Sequence, residues 1–557
     1  MAFGPEMVAA WSSDISEEFK NKRIARLDFG EKWMVAQFTN HSKALFLSLD
    51  PEYYGIASIG KASAKMLVSH FPKPLRVEQT FKKHIAGAKL VECTQINNDR
   101  ILEIAFEKAL GAGFSQRYYV IFEIMGHKSN LILMTEEKKI IDAIKLKSFD
   151  GKSSSLVLQG TVYSPPAPIE GTTLAEIRRN LPLKLPQKLV GVGKPLEKKI
   201  KELWNQYAPE TWREWLSKMI YSPENMEHLP FQKIGNYITF FPIILPGADP
   251  IMTQGQKAIE FTKAFVFYPL LQKESNALKN MILKPLLAEM HSCKARIEGV
   301  TNLVTMAQKS EQWMKMGNLL IAWQHNIPSN SEEVILEDWT VEPPQKITVK
   351  LNPQKSVVEN AQIYFKKAKK YKDKNDEAQR LLKVYEGRYE ELQETVEGIK
   401  SIDDPTQILA LAKELMAHSL NKKNKRSKGL PIIRYDFEGA IIFAGINQKS
   451  NHYVTFRLAK NDDIWLHVKD KPGAHVILRR TDSKGTDFSP EDPRLIFAAS
   501  IAAYYSKGRS ENRVTVDYTR KKHVAPQKGT VAQVTYNNYK SIIVSPTYWK
   551  KHLEEQL

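Results

Sequence analysis

Two long runs of helical periodicity, separated by an insert that is not helical, constrain this 557-residue chain more than any other feature. Over residues 272–323, apolar side chains recur as Leu278, Met281, Leu283, Leu286, Leu287, Met290, Ile297, Val300, Leu303 and Met306. That is the three-and-four spacing of one helix face. Over residues 357–419 the pattern returns with Ala361, Tyr364, Phe365, Ala368, Tyr371, Leu381, Leu382, Tyr385, Tyr389 and Leu392. Lys and Glu fill the remaining positions of both runs, which suits faces left in water. Between them, Glu333-Val334-Ile335-Leu336 and Lys346-Ile347-Thr348-Val349-Lys350-Leu351 are strand-like and flank Pro343-Pro344. The runs are therefore expected to fold back as an antiparallel coiled-coil arm, residues 272–420, with a small tip at about 323–352. At 1.5 Å per residue, about fifty residues reach on the order of 75 Å. A dimerisation rod is the alternative, and the compact insert favours the intramolecular hairpin.

Length alone requires about three to five domains, because one core cannot serve so many residues. Ahead of the arm the chain is β-rich. Arg23-Ile24-Ala25-Arg26-Leu27, Trp33 to Phe38, Ala44 to Leu49, Tyr118 to Met125 and Asn130 to Met134 all read as strands. Phe81-Lys82-Lys83-His84-Ile85 continues a short basic helix, and Asn97-Asn98 is a turn that places Asp99 and Arg100 at the head of a strand. An arginine oriented by a neighbouring aspartate suits phosphate or base recognition, although an ordinary surface ion pair has the same sequence signature. Further on, Leu189-Val190-Gly191-Val192-Gly193-Lys194 is expected to join two short helices. Such a glycine turn can offer backbone amides to phosphates, or can be a plain helix connection.

After the arm, Asn421 to Gly429 is a basic polar linker to a last domain of about 130 residues. There, hairpin-like Ala440 to Phe443 and Tyr453 to Arg457 precede the densest cluster of chemistry in the chain. It reads Asp462-Asp463-Ile464-Trp465-Leu466-His467-Val468-Lys469-Asp470-Lys471-Pro472-Gly473-Ala474-His475-Val476-Ile477-Leu478-Arg479. Ile464, Leu466 and Val468 alternate with Trp465, His467 and Lys469, the period of a two-faced strand, and Lys471-Pro472-Gly473 turns the chain into a second strand. A helix over 493–507 and strands through Val514-Thr515-Val516 and Ile542-Ile543-Val544 complete this domain, and Arg520-Lys521-Lys522-His523 adds basic charge.

Charge indicates the class of partner. The chain has 81 Lys+Arg against 62 Asp+Glu, a net +19, and the last quarter carries most of the excess. A polyanion is the natural partner, and nucleic acid is the commonest one in cytoplasm. No window holds eighteen uninterrupted apolar residues, the first residues lack the pattern of a signal peptide, and Cys93 and Cys293 form no CxxC. These features point to a cytoplasmic chain with no disulfide framework and no cysteine zinc site. There is no P-loop, HExxH, GxSxG or dinucleotide fingerprint. His467 and His475 lack metal-ligand partners at a recognisable spacing. His467 beside Asp463 has the makings of an acid–base pair, but a locally satisfied or RNA-contacting histidine explains the pattern better. The residues describe a binding protein, with no catalytic residue, metal or cofactor expected.

Asp463 to Val476 resembles the DIWxHxKDxPGxHV signature of the NFACT family. Asn98-Asp99-Arg100, Glu123-Ile124-Met125-Gly126-His127-Lys128-Ser129-Asn130 and Gly160-Thr161-Val162-Tyr163-Ser164-Pro165-Pro166 are similar to three further family motifs. The chain departs from the family pattern at Gly4, around Phe81 and at Ser153-Ser154-Ser155-Leu156. The resemblance implies a multidomain α+β fold: a β-sandwich-like domain as in formamidopyrimidine-DNA glycosylases (1–171), a helix-hairpin-helix (172–225), a return segment (226–271), the arm, and an α+β RNA-binding domain (421–557). It implies a ribosome quality-control factor that binds a stalled large ribosomal subunit holding peptidyl-tRNA. Such a factor recruits alanyl-tRNA for mRNA-independent C-terminal alanine tailing, and a small RNA-binding protein on the ribosome is a further expected partner. Asp99, Arg100, Lys83, His84 and Glu123 would contact tRNA. Trp465, His467, Lys469, His475, Arg479, Lys521 and Lys522 would contact RNA, and Gly191, Gly193 and Lys194 a phosphate backbone. A surface adhesin that binds fibronectin is the alternative, which cell fractionation would separate. A base-excision glycosylase would need a terminal Pro-Glu pair, whereas Pro5-Glu6 follows four residues.

Overall fold

The structure is a computed structural model that describes residues 2–70, 75–147, 157–219, 229–251, 257–409, 411–412, 430–481, 488–527 and 533–550, apart from 373–374. The basic linker Asn421 to Gly429, the segment Ser153 to Leu156 and the expected boundaries at 225 and 420 lie outside the described residues. The fold is mixed α+β and multidomain, with several sheets and a long helical arm. It divides into two compact units, 1–276 and 277–554.

In the first unit, Ile24–Gly30, Trp33–Phe38, Lys43–Ser48 and Gly55–Gly60 form a four-stranded antiparallel meander. A second antiparallel sheet runs in the order Ile140–Ala143, Asn130–Thr135, Phe114–Glu123, Ile101–Gly111, Lys89–Gln95. The helix Pro5–Phe19 packs against Lys89–Gln95 and buries Met7, Val8, Trp11, Ile15 and Phe19 completely. Each such side chain contributes about 1.5–3 kcal/mol. A third sheet brings distant segments together, since Ala2–Phe3 pairs parallel with Tyr237–Phe240, which itself pairs with Phe231–Ile234.

Residues 172–219 hold helices Leu174–Arg179, Lys194–Leu203 and Pro209–Met219 around an aromatic core of Trp204, Trp212, Trp215 and Phe241. The helix expected just before Gly191 is absent. Instead Leu189–Val190 is a short strand paired parallel with Thr172–Thr173. Pro182 and Pro186 explain this, because each removes an amide donor and pushes its predecessor towards extended backbone.

The arm helix Lys263–Ala322 begins in the first unit. There Lys273 Nζ reaches both oxygens of buried Asp50 at 3.1 and 3.0 Å, and Glu52 at 3.0 Å. Pro269 and Pro285 lie inside the helix, and each interrupts its hydrogen-bond ladder.

In the second unit the return helices Val357–Lys372 and Asn375–Ser401 run antiparallel to it, as the helical spacing predicts. Lys279 bonds the carbonyls of Lys400 and Ile402, Glu289 pairs with Arg388, Arg296 lies over Tyr385, and Trp313 meets Tyr371. The tip is a hairpin of Glu333–Asp338 and Gln345–Lys350 over Leu320, Ile327, Val349 and Ala361.

The last domain is a six-stranded antiparallel sheet in the order Ile432–Phe437, Ala440–Gly445, Val476–Arg480, Ile464–Val468, Val514–Arg520, Lys540–Val544. Helix Pro493–Tyr504 covers one face with an almost fully buried apolar surface. Tyr453 to Arg457 is not a strand. Asn447 and Ser450 form a capping box that starts helix Gln448–Tyr453, and the chain continues as a π-helix, Val454–Leu458. β-Branched Val454 and Thr455 imitate a strand in sequence, but the cap decides the local structure.

Candidate nucleic-acid interface

The first unit assembles a site around the turn that joins Lys89–Gln95 to Ile101–Gly111. Asn97 and Asn98 take positive φ, 53° and 50°, and Ile96 N–H closes the turn onto the Ile101 carbonyl at 2.9 Å. Asp99 does not orient the Arg100 side chain. Its carboxylate accepts from the Arg100 backbone N–H at 2.7 Å, and the guanidinium makes no hydrogen bond or ion pair among the described residues. Gln95 Nε2 ties the turn to helix Pro5–Phe19, donating to the carbonyls of Pro5 and Asp99, each at 2.8 Å. The loop ahead of helix Lys194–Leu203 arrives beside it, so that a Cβ on Gly191 would stand 3.5 Å from Asn98 Cβ.

Beneath the turn lies a carboxylate. Buried Glu6 accepts from the Tyr237 hydroxyl, from Thr239 Oγ1 at 2.8 Å and from Gly193 N–H at 2.9 Å. Burial pushes its pKa up, and the three donors only partly oppose that. Burial and then the Glu6 charge raise the Tyr237 hydroxyl well above its usual range, while the nearby charge of Arg100 acts in the opposite sense. Two placements change as a result. The Gly193 amide is spent on Glu6, so it is not offered to a phosphate, and within that loop only Lys194 is exposed. Gly191 adopts φ +80°, which serves the close approach to Asn98.

Glu123 is 3% exposed and therefore does not reach a ligand. It accepts from Tyr163 Oη at 3.2 Å, with Lys147 Nζ at 3.6 Å. Burial, followed by the Glu123 charge, raises the Tyr163 hydroxyl, and the charge of Asp99 also reaches it. Glu123 thus braces Tyr163 beneath the turn. Lys83 and His84 lie elsewhere. Lys108 Nζ bonds the Lys83 carbonyl, and His84 sets its ring edge-on to Tyr118 with centroids 5.1 Å apart. Its Nδ1 carries the proton, because its partner at 2.7 Å is the Thr80 carbonyl. Lys108 is seven residues along the strand from Ile101, about 24 Å.

In the last domain, Ile464–Val468 and Val476–Arg480 form the expected pair, with Trp465 opposite Ile477. Both faces of this pair are covered, which overturns several expected contacts. Ile464, Leu466 and Val468 pack on the helix side. Trp465 is 0% exposed, inside a second core with Val454, Ile477 and Val524. His475 is 5% exposed, with Nδ1 2.9 Å from Thr455 Oγ1. Burial lowers its pKa to about 3, helped by the charges of His467 and His452. His467 stacks on Trp465, centroids 5.7 Å apart, and burial lowers its pKa while Asp517 resists. Asp517 in turn accepts from Tyr536 at 2.9 Å and Ser541 at 2.6 Å. Trp465 and His475 are therefore packing residues, and His467 is largely enclosed. Arg479 is also tied inward, to Asp463 at 2.7 Å and the Leu458 carbonyl at 2.6 Å. Lys469 and Lys522 are exposed, and Lys521 lies over Phe456.

Residues 7–430 match the family described as NFACT N-terminal and middle domains. The chain belongs to the NFACT family. Curated relatives named Rqc2 homolog RqcH extend the likeness. The one from Streptococcus pneumoniae serotype 2 is 25% identical over 548 residues, covering 96% of each chain. That of Bacillus subtilis is 25% identical over 583 residues, covering 98% of each. Among solved structures, the N-terminal part of the fibronectin/fibrinogen-binding protein from Streptococcus suis is 20% identical with a TM-score of 0.39, covering 48% of this chain and 99% of that one.

Within this NFACT chain, Glu6, Tyr237, Thr239 and Tyr163 had no sequence signal as a group, since Glu6 and Tyr237 are 231 residues apart. Among the described residues no three His, Cys, Asp or Glu side chains are grouped to hold a metal ion, and no helix is long and apolar enough to cross a membrane.

Proposed function

We propose that this chain is a ribosome quality-control factor that binds a stalled large ribosomal subunit holding peptidyl-tRNA. On this reading it works in the cytoplasm and recruits a tRNA, alanyl-tRNA in the first instance, for C-terminal alanine tailing without mRNA. The likeness, 25% identity over 96–98% of the chain, to proteins named Rqc2 homolog RqcH carries the reading. Three features support it: an Arg100 guanidinium that makes no hydrogen bond or ion pair among the described residues, the excess of cations in the last quarter, and an arm suited to bridging distant features. The chain itself is not an enzyme, and peptide-bond formation stays with the ribosome. Sequencing the RNA that co-purifies with the tagged full-length protein tests this. One enriched tRNA together with large-subunit RNA is expected, and Asp99→Ala/Arg100→Ala is expected to lose the tRNA and the tail. Recovery of neither RNA with the unmodified protein would overturn the reading.

A further inference from the structure

The strands Ile101–Gly111 and Phe114–Glu123 outrun their neighbours. Lys89–Gln95 pairs only as far as Glu107, and Asn130–Thr135 only as far as Tyr118, so the far end of the hairpin is a free two-stranded ribbon. Gly111, Ala112 and Gly113 all adopt positive φ, and the two-residue turn Ala112-Gly113 is of the tight kind that matches strand twist. This end holds Phe114 73% exposed and Leu110 58% exposed. Strand alternation puts Phe114, Gln116 and Tyr118 on one face, with Lys108 opposite Gln116.

That face is ordered below the tip. Buried Tyr118 donates its hydroxyl to Gln116 Oε1 at 2.7 Å, which leaves the Gln116 amide N–H groups for an outside acceptor. The Tyr118 ring supports His84, and the Lys83 carbonyl holds Lys108 Nζ. Between Phe106 and Leu110, and between Phe114 and Tyr118, no residue on this face is acidic, while Lys108, Lys83 and His84 supply positive or hydrogen-bonding groups. Glu107 belongs to the opposite face, where it accepts from Ser115. An exposed aromatic ring, a free amide donor and a fixed ammonium in one row match the needs of an unpaired nucleotide: a stacking surface, a base-edge donor and a phosphate counter-charge.

We propose that this ribbon is a finger for unpaired RNA, in which Phe114 stacks on a base, Gln116 bonds its edge and Lys108 meets the adjoining phosphate. The proposal rests on the reading of the chain as a ribosome- and tRNA-binding factor, and it adds a contact far from the Asp99–Arg100 turn.

The test uses the full chain with a short unstructured RNA and with large ribosomal subunits. Phe114→Ala is expected to weaken binding to the short RNA about tenfold, the effect of losing one stacked base. Phe114→Trp is expected to retain it, and both proteins should keep wild-type circular dichroism because Phe114 lies at an exposed tip. A photoreactive benzoylphenylalanine at position 114 is expected to cross-link to ribosomal RNA or tRNA. Unchanged affinity in Phe114→Ala, or cross-links only to ribosomal protein or to a second copy, would overturn the finger while subunit binding upheld the wider reading. So would RNA binding that survives Phe114→Ala while binding to anionic phosphatidylglycerol vesicles is lost, which would assign the tip to a lipid surface. If the unmodified chain bound no RNA of any kind, both would fall.

Discussion

Gly193 and Glu6 stand 187 residues apart in sequence and share one hydrogen bond, 2.9 Å from amide to carboxylate. Through it the loop ahead of helix Lys194–Leu203 is locked to the start of helix Pro5–Phe19, directly below the Asp99–Arg100 turn. A Cβ at Gly193 would lie 1.8 Å from Tyr237 Oη, and one at Gly4 would meet the same atom at 1.8 Å. Both positions are held to glycine by the same buried hydroxyl.

Gly193→Ala is therefore expected to destabilise the first unit by about 1–3 kcal/mol, the cost of forcing a methyl group into filled space. Thermal denaturation should show the loss. Tyr237→Phe in the same background should recover part of it, because it removes the clashing oxygen. No recovery would mean that the ring carbons, with Cζ 2.5 Å from the added Cβ, carry the clash.

Trp465 separates packing from contact. Trp465→Ala should cost about 3–5 kcal/mol as a core cavity. Trp465→Phe should cost much less, since the buried indole Nε1 has no hydrogen-bond partner among the described residues. Neither change should alter the affinity for RNA of molecules that remain folded. A several-fold loss of affinity in folded Trp465→Phe would place the ring at the interface.

The buried imidazole of His475 makes the last domain acid-sensitive. Its folded pKa, about 3, lies below the usual 6.5, so the unfolded chain binds the proton first. Stability is then full above about pH 6.5 and falls as pH drops through that window towards 3, on the order of 1.4 kcal/mol per pH unit. His467 and His452 face it and shift the same balance, while Asp517 acts on His467. His475→Gln should flatten the melting temperature between pH 6.5 and 4 relative to wild type. An unchanged slope would assign the sensitivity to other groups.

The root of the arm depends on one carboxylate. Burial alone would raise the Asp50 pKa, but the amides of Glu52 and Tyr53 and the ammonium of Lys273 together bring it down. This contribution is present above about pH 3.8 and is lost as acid protonates the group. Lys273→Ala leaves the amide donors in place and removes a partly exposed ammonium, so a loss of only about 1–2 kcal/mol is expected. Asp50→Ala should cost more, and equal losses in thermal melts would argue that the amides contribute nothing.

The arm was legible in the sequence because its outer faces meet water and leave a helical period. The strands of the first unit, buried on both faces over Trp33–Phe38 and Lys43–Ser48, were legible as runs of strand-type residues, and Asn97-Asn98 marks its own turn. The motif around Trp465 shows where that logic stops. Alternation distinguishes two faces of a strand without saying which is wet, and here helix Pro493–Tyr504 covers one face while Gln448–Leu458 covers the other. Exposed contacts inferred from residue type were therefore placed inside. The Glu6 cluster was invisible for another reason, because its members are joined only by tertiary pairing. The ribbon tip escaped notice because Gly111-Ala112-Gly113 is an ordinary turn in sequence, and its reach depends on where the neighbouring strands end.

The parallel pairing of Ala2–Phe3 with Tyr237 and Ile238 also sets a schedule. The first strand of the chain has no partner until those residues have been made, and at about 5–20 residues per second that is a wait of roughly 12–50 s. During synthesis Glu6 likewise lacks the hydroxyls of Tyr237 and Thr239, so its carboxylate remains in water. The leading helix can form early and pack on Lys89–Gln95, but the enclosure of Glu6 and the setting of the Asp99–Arg100 turn must come late. Nascent chains halted before residue 237 should therefore expose their beginning to proteases and chaperones, and those halted well beyond it should not.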